Sequence, residues 1–359
     1  MEDTNNKNKS GFKIFILFMF FAVAIFFGKG HLDKLLPNKE SKTLQIVHKI
    51  PATSDTAVKF YKNVMIKYDN NVIVAINRDG TQAWEKKVTF EKPIVYLGEE
   101  VVYLSEGTTG DVYIINEEGK STNRIQLNNP IDKVIEKEGI IYVVGKQEKK
   151  ENLTLLTKDG KVLTSILPTG NILNFAFNDT LKKILISTLN IGEDNIMSSL
   201  NIYNINGNSI GNVKFTDEII TFIDFIDEEN IIVLTDSGLY GIKESKILWK
   251  KDYSNVKDIY IDEEIDKMYL LYEHGLELLN YDGRVEETLE LKGSYNSIYP
   301  YKKSVLIVGD EEVLGLEKRE EYLRYQLEEE GEIKVDGLNI IQNTSDKINV
   351  MKIINKDKE

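Results

Sequence analysis

The residues of this chain that could do chemistry are few and scattered. There are three histidines, His31, His48 and His274, and no cysteine in 359 residues. The lack of Cys excludes thiol nucleophiles, disulfides, thiolate metal sites and a lipid-modified N-terminal Cys. No two histidines stand at metal-ligand spacing, and neither a Gly-x-Ser-x-Gly elbow nor an Asp-x-Asp-x-Asp-Gly calcium loop occurs. His274, in Glu273-His274-Gly275, has the setting of a surface turn residue. Carboxylates cluster at Glu99-Glu100, Asp227-Glu228-Glu229, Asp262-Glu263-Glu264 and Asp310-Glu311-Glu312. The first three fall at equivalent turns of a repeat, which reads as solvated turns on one face. The sequence therefore predicts no catalytic residue, no metal ligand and no cofactor site, although an ion shared by carboxylates of several repeats would leave no trace in spacing.

Binding residues are a different matter. The longest connection, 189–198 (LNIGEDNIMS), reads as a loop inserted in a single repeat, a common mark of function. It offers Leu189, Glu193, Asp194, Ile196 and Met197 as candidate partner contacts. Tyr253, Tyr295 and Asn296 are expected at the same end of the repeats, and Tyr with Asn suits peptides or glycans. The competing readings are drift in loop length and rings packed between repeats.

The elements that must position these residues recur about every 40 residues. An apolar strand enters a tight polar turn and a second strand leaves it, as at Asp79-Gly80, Glu118-Gly119, Asp159-Gly160, Asn206-Gly207, Lys243-Glu244, Asp282-Gly283 and Lys318-Arg319. Taking the turns at 80, 119, 160, 207, 244, 283 and 319, the spacings are 39, 41, 47, 37, 39 and 36. A period of this length built only from strands predicts an all-β fold, a β-propeller. Each period parses into four strands, for example 94–97, 101–105, 111–116 and 121–127. The second strands, such as Ile231-Ile232-Val233-Leu234, are apolar on both faces, as inner strands between neighbouring sheets should be. After Arg319 the chain supplies three more strands, 332–335, 338–342 and 348–354, and the orphan strand 43–50 fits as their fourth. This predicts eight blades, the last closed by both ends of the domain, with seven blades as the alternative.

Ahead of the repeats, residues 12–28 read FKIFILFMFFAVAIFFG, with Lys13 as their only charge. At 1.5 Å per residue the run 14–27 covers about 21 Å, which with its flanks approaches the lower limit for spanning a bilayer. The expectation is a cytoplasmic tail over 1–11, an uncleaved single-pass anchor over 12–28, a linker over 29–42 and an extracytoplasmic propeller over 43–359. Ala22-Val23-Ala24 leaves cleavage after Ala24 as the alternative. The formal net charge is −13; residues 1–42 carry seven Lys and four carboxylates, leaving 38 basic and 54 acidic residues beyond them, a net of −16. Such a surface repels phosphate backbones, so no nucleic-acid partner is expected.

Two fourth strands, Gly80-Thr81-Gln82-Ala83-Trp84 and Lys246-Ile247-Leu248-Trp249, resemble the Gly-x-x-x-Trp phrase of PQQ-like propeller repeats. The resemblance covers 43–359 in period and strand order and reaches the wider PQQ-like and WD40-like superfamily. With the apolar segment in front, the chain also resembles membrane-anchored propeller proteins of low-GC Gram-positive bacteria. Quinoprotein dehydrogenases of the superfamily carry a vicinal Cys pair at the cofactor, so no PQQ is expected here. The reading is a non-catalytic protein-binding or scaffold module of the cell envelope, attached to the membrane by one N-terminal helix and partnered by another envelope protein. The alternatives are a channel-centred metal-dependent hydrolase or lyase, and a sensor of a glycan or small ligand.

Overall fold

The computed structural model describes residues 42–356 apart from 54, 55, 149, 193, 194 and 319. Leu44–Lys352 form one compact unit. Met1–Thr43 with Ile353–Glu359 form a second, of which only the far ends of the first and last strands and Lys356 are described. The proposed tail, anchor and linker, including His31, lie outside the described residues. Among the described residues no helix is long and apolar enough to cross a membrane.

The described residues hold 32 strands. The first is β1 (Lys42–Pro51), followed by β2 (Ala57–Phe60), β3 (Val64–Asp69), β4 (Val72–Asn77) and β5 (Gln82–Lys87). Next come β6 (Pro93–Leu97), β7 (Val102–Glu106), β8 (Asp111–Ile115), β9 (Ser121–Gln126), β10 (Ile131–Lys137), β11 (Ile140–Gln147), β12 (Lys150–Thr157) and β13 (Val162–Ile166). The middle of the chain gives β14 (Asn171–Asn178), β15 (Lys183–Ile191), β16 (Ile196–Asn204), β17 (Ser209–Thr216), β18 (Ile220–Phe225), β19 (Asn230–Thr235), β20 (Gly238–Lys243) and β21 (Lys246–Asp252). The remainder are β22 (Val256–Asp262), β23 (Lys267–Tyr272), β24 (Gly275–Asn280), β25 (Val285–Glu290), β26 (Tyr295–Tyr301), β27 (Ser304–Gly309), β28 (Glu312–Glu317), β29 (Glu320–Gln326), β30 (Glu332–Asp336), β31 (Asn339–Asn343) and β32 (Lys347–Asn355).

From β2 to β25 each run of four consecutive strands is one sheet, six in all, and the last sheet has eight strands in the order β26-β27-β28-β29-β1-β32-β31-β30. The expected eight blades appear as seven hydrogen-bonded sheets. The difference arises because β1 lies between β32 and β29 and so bonds the last two four-strand groups together.

The turns explain the period. Gly80, Gly119, Gly160, Gly207 and Gly283 each donate their N–H to the carbonyl three residues back, at 2.8–3.0 Å. All five have φ between +77° and +87°, and the strand register shifts beside each, as between Ala75 and Ile76. This is a type I turn closed by a left-handed residue in a bulge, for which glycine carries the smallest cost. The fifth sheet solves the same turn with Glu244 and Ser245, both at positive φ.

Successive sheets bury their faces against each other. Tyr103, Val112 and Ile114 of the second sheet pack with Ile131, Val134 and Ile141 of the third. Leu185, Leu200 and Phe215 of the fourth pack with Ile223, Val233 and Tyr240 of the fifth. Polar bonds recur with similar offsets, 40, 40 and 34 residues. The Tyr61 hydroxyl donates to the Val101 carbonyl at 3.1 Å, that of Tyr96 to Glu136 at 3.1 Å, and that of Tyr299 to Ile333 at 3.0 Å. Asp132 of β10 is shared by Lys92, one sheet back, at 2.7 Å and Lys146 at 3.3 Å.

Two outcomes follow from this construction. Deleting residues 44–51 exposes the edges of β32 and β29 together, so the shortened chain should melt more than about 5 °C lower, equivalent to at least roughly 2 kcal/mol. Identical calorimetric midpoints would show that β1 closes nothing. The second outcome concerns Asp132, whose carboxyl is held below the usual carboxylate range, chiefly by the bond from Lys92, and then by Lys146. A depressed folded pKa contributes stability above the unfolded value that is lost as pH falls through the folded one. Because these side chains are partly solvated, Asp132→Asn should cost no more than ~1 kcal/mol at neutral pH. Urea titrations of the two proteins should converge below the usual carboxylate range; a cost persisting in acid would assign the effect to packing.

Candidate functional site

The candidate contacts read from the sequence lie in different sheets. Leu189 is in β15, and Ile196 and Met197 are in β16. The expected loop 189–198 is instead the far arm of the β15–β16 hairpin, paired Leu189↔Ser198, Asn190↔Met197 and Ile191↔Ile196. Gly192 donates to the Asn195 carbonyl at 2.9 Å across the tip, and Glu193 and Asp194 lie outside the described residues. β14 accompanies β15 only as far as Leu189, so the last cross-strand pair stands clear of it. That pair is apolar and open to solvent, with Ile191 71% and Ile196 37% exposed.

The tyrosines are engaged locally. Tyr295 is buried at 3% exposure, bonds Glu312, and lies within 3.4 Å of Arg324. Burial first, then Glu312, pushes its phenol up to about 12. Tyr253 is half-buried and donates to Glu277. Asn296 is exposed and bonds Asp310 at 2.7 Å. The acidic turns are similarly occupied: Asp227 accepts from the backbone of Glu229 and Asn230, and Asp262 from that of Glu264. Among the described residues no three His, Asp or Glu side chains converge on one point. His274 is a surface side chain, 83% exposed.

His48 is placed differently, at a cleft absent from the sequence reading. A cavity of about 650 Å³ opens between β1 and the first sheet. Its apolar wall includes Ile50, Phe60, Tyr61, Met65 and Ile76, and its charged rim is His48, Lys49, Arg78 and Lys352. All four rim side chains are exposed, and among the described residues none that lines the cleft is acidic. The nearby Asp336 is already engaged, accepting from the Phe60 N–H at 2.8 Å and lying 3.4 Å from Lys59 Nζ. Arg78 Nη2 donates to the Lys62 carbonyl at 2.6 Å, which fixes the side chain at the rim. Burial, and secondarily the charge of Asp336, raises the Tyr61 phenol well above its ordinary value, keeping it a neutral donor.

The void has a structural cause. At three other seams a large side chain of one sheet covers the turn glycine of the next, whereas a Cβ on Gly207 would meet Thr164 Oγ1 only at 3.4 Å. A Cβ on Gly119 would stand 2.8 Å from the Trp84 ring, and the Trp84 indole N–H donates to the Glu117 carbonyl at 2.7 Å. Gly283 is covered by Trp249 at 2.8 Å and Gly160 by Ile125 at 2.7 Å. A Cβ on Gly80, which lines the cleft, would meet nothing within 4 Å among the described residues. The buried core at this seam is small: Ile50, Ile341, Ile348 and Val350, faced by half-buried Val58, Phe60 and Met65. The sequence held one signal of this, since β1 carries no tryptophan where β5 and β21 do.

Comparison with solved structures places the architecture among propellers. The chain is similar to BamB from Moraxella catarrhalis at 12% identity, TM-score 0.54, over 86% of this chain and 97% of that one. It is also similar to Sqt1 from Saccharomyces cerevisiae at 11% identity, TM-score 0.60, over 88% and 99% respectively. At these identities the likeness is one of fold. No curated protein matches the sequence. Residues 37–357 match the model of a family of unknown function (DUF5711).

The missing cover over Gly80 has a measurable consequence. Gly80→Ala and Gly119→Ala both place a side chain at positive φ, costing roughly 1–2 kcal/mol. Only Gly119→Ala also drives a methyl into Trp84, an overpacking worth a further ~1–3 kcal/mol. Urea denaturation should therefore rank Gly119→Ala clearly below Gly80→Ala, and equal losses would mean that Trp84 yields freely.

Proposed function

The chain belongs to that family of unknown function, and from this premise we propose that it is a membrane-anchored, extracytoplasmic propeller that binds another protein of the cell envelope without doing chemistry on it. The observation that carries the protein-binding reading is the β15–β16 hairpin, whose terminal Ile191–Ile196 pair is held rigidly by strand pairing and left open to water. An apolar pair on a preorganised arm lowers the ordering cost of association. The anchoring reading rests on the apolar run at 12–28, placed before a domain of closed sheets. We further read the eight-stranded sheet as two blades joined through β1, which makes eight blades, the last composed of β30, β31, β32 and β1. Propellers are platforms whose partners are set by loops, so the fold itself names no ligand.

Protease added to wall-stripped cells should digest the propeller and leave a short membrane-bound N-terminal fragment. Full protection would refute the extracytoplasmic placement, and a mature chain beginning at Ile25 would show cleavage after Ala24. Chemical crosslinking in native membranes should capture an envelope protein that Ile191→Ser/Ile196→Ser loses at unchanged melting temperature. Retention of that partner by the double variant would remove the hairpin from the interface.

A further inference from the structure

We propose that the cleft between β1 and the first sheet is a docking site for an acidic peptide segment of a partner protein that presents one aromatic side chain. This is a second surface, separate from the β15–β16 hairpin, and it stands whether or not that hairpin or the membrane anchor is used. The cavity of about 650 Å³ falls within the roughly 300–1,000 Å³ typical of binding pockets.

The shape argument comes from the neighbouring seams. Trp84 and Trp249 cover Gly119 and Gly283, and the equivalent space over Gly80 is open. The cleft is thus a place for a ring that this chain supplies elsewhere and omits here. Phe60, Tyr61, Met65 and Ile76 give that ring an apolar bed. Tyr61 does not bring an unmet polar demand, because its hydroxyl already donates to the Val101 carbonyl.

The charge argument selects the flanking residues. His48, Lys49, Arg78 and Lys352 surround the opening with no acidic lining residue among the described ones, on a chain whose net charge is −13. An acidic segment is repelled by most of this surface and attracted here, which gives both orientation and discrimination. Arg78, fixed by its bond to Lys62, is the rim group best suited to a carboxylate. The chain's own residues 29–41 do not fit the description, since Lys29, Lys34 and Lys39 outnumber Asp33 and Glu40.

The test is a displayed library of random peptides about twelve residues long, selected on the full chain in detergent and counter-selected on Arg78→Glu/Lys352→Glu. Enriched sequences should carry Asp or Glu around a Trp, Phe or Tyr. A fluorescein-labelled peptide of that consensus should bind the full chain, weaken with salt between about 0.05 and 0.5 M, and lose about tenfold or more in affinity on Arg78→Glu/Lys352→Glu. Both substitutions sit on exposed side chains, so melting curves should be unchanged. Met65→Trp supplies a ring from within and should abolish peptide binding while keeping or raising the melting temperature. Enrichment of basic or non-aromatic sequences, or of none, would overturn the proposal. Binding to phosphatidylglycerol vesicles but not to peptides would overturn it in favour of a lipid surface. Self-association abolished by Arg78→Glu would overturn it in favour of a second copy. Loss of the native envelope partner by the hairpin variant alone, with peptide binding intact, would separate failure of one surface from failure of the other.

Discussion

Two-sided burial of β-sheets is the constraint on which this molecule depends. The middle strands are apolar on both faces: Ile231 to Leu234 in β19 are all buried, as are Val305 to Val308 in β27. A sheet of that kind cannot end a stack, because its outer face would meet water at about 25 cal/mol for each Å² of apolar surface. Every sheet therefore needs two neighbours, and the succession must return to its start. The first sheet meets β1, β31 and β32 across Ile50, Ile341 and Val350, which is where that return is made. The polar bonds follow the same logic. Tyr61 and Tyr96 each satisfy a hydroxyl on a backbone carbonyl of the following sheet, and Tyr299 of β26 does the same on Ile333 of β30, so the stack is registered as well as packed.

What could be read from the amino acids follows from how local each signal is. Strand and turn positions were legible because a turn is decided by four or five residues. The expected strands 111–116 and 121–127 match β8 and β9 to within one residue. Propeller architecture was legible because the period accumulates over the chain. The arm at 189–198 was misread as a loop because Gly192 and Asn195 are turn formers, while the pairing that extends β15 and β16 is visible only across the hairpin. The joining of the last two strand groups into one sheet was not legible for a similar reason: whether β29 bonds β1 depends on two edges more than 260 residues apart.

The site was much less legible than the fold. Tyr253 and Tyr295 look alike in sequence to any exposed binding tyrosine, and the carboxylates that engage them, Glu277 and Glu312, lie 24 and 17 residues further on. The cleft at Gly80 was harder still. It is made by a side chain that β1 does not have, and an omission becomes visible only beside the seams where Trp84, Trp249 or Ile125 fills the same space. His48, a residue of the strand 43–50, gains its interest from Arg78 and Lys352, neighbours it could not be assigned from sequence.

The placement of β1 also sets a timetable for synthesis. Its two neighbours, β32 and β29, begin at Lys347 and Glu320, so the first strand made waits for nearly the last. Roughly 300 residues must be translated in between, which at about 5–20 residues per second is on the order of 15–60 s. Throughout that interval β1 is a nascent strand with both edges unclaimed, while sheets behind it become able to assemble from purely local pairs. Completion of the fold is therefore a late, long-range event. Anything that holds an unpaired strand during that interval, a chaperone or a translocation channel, acts on β1 before the protein itself can.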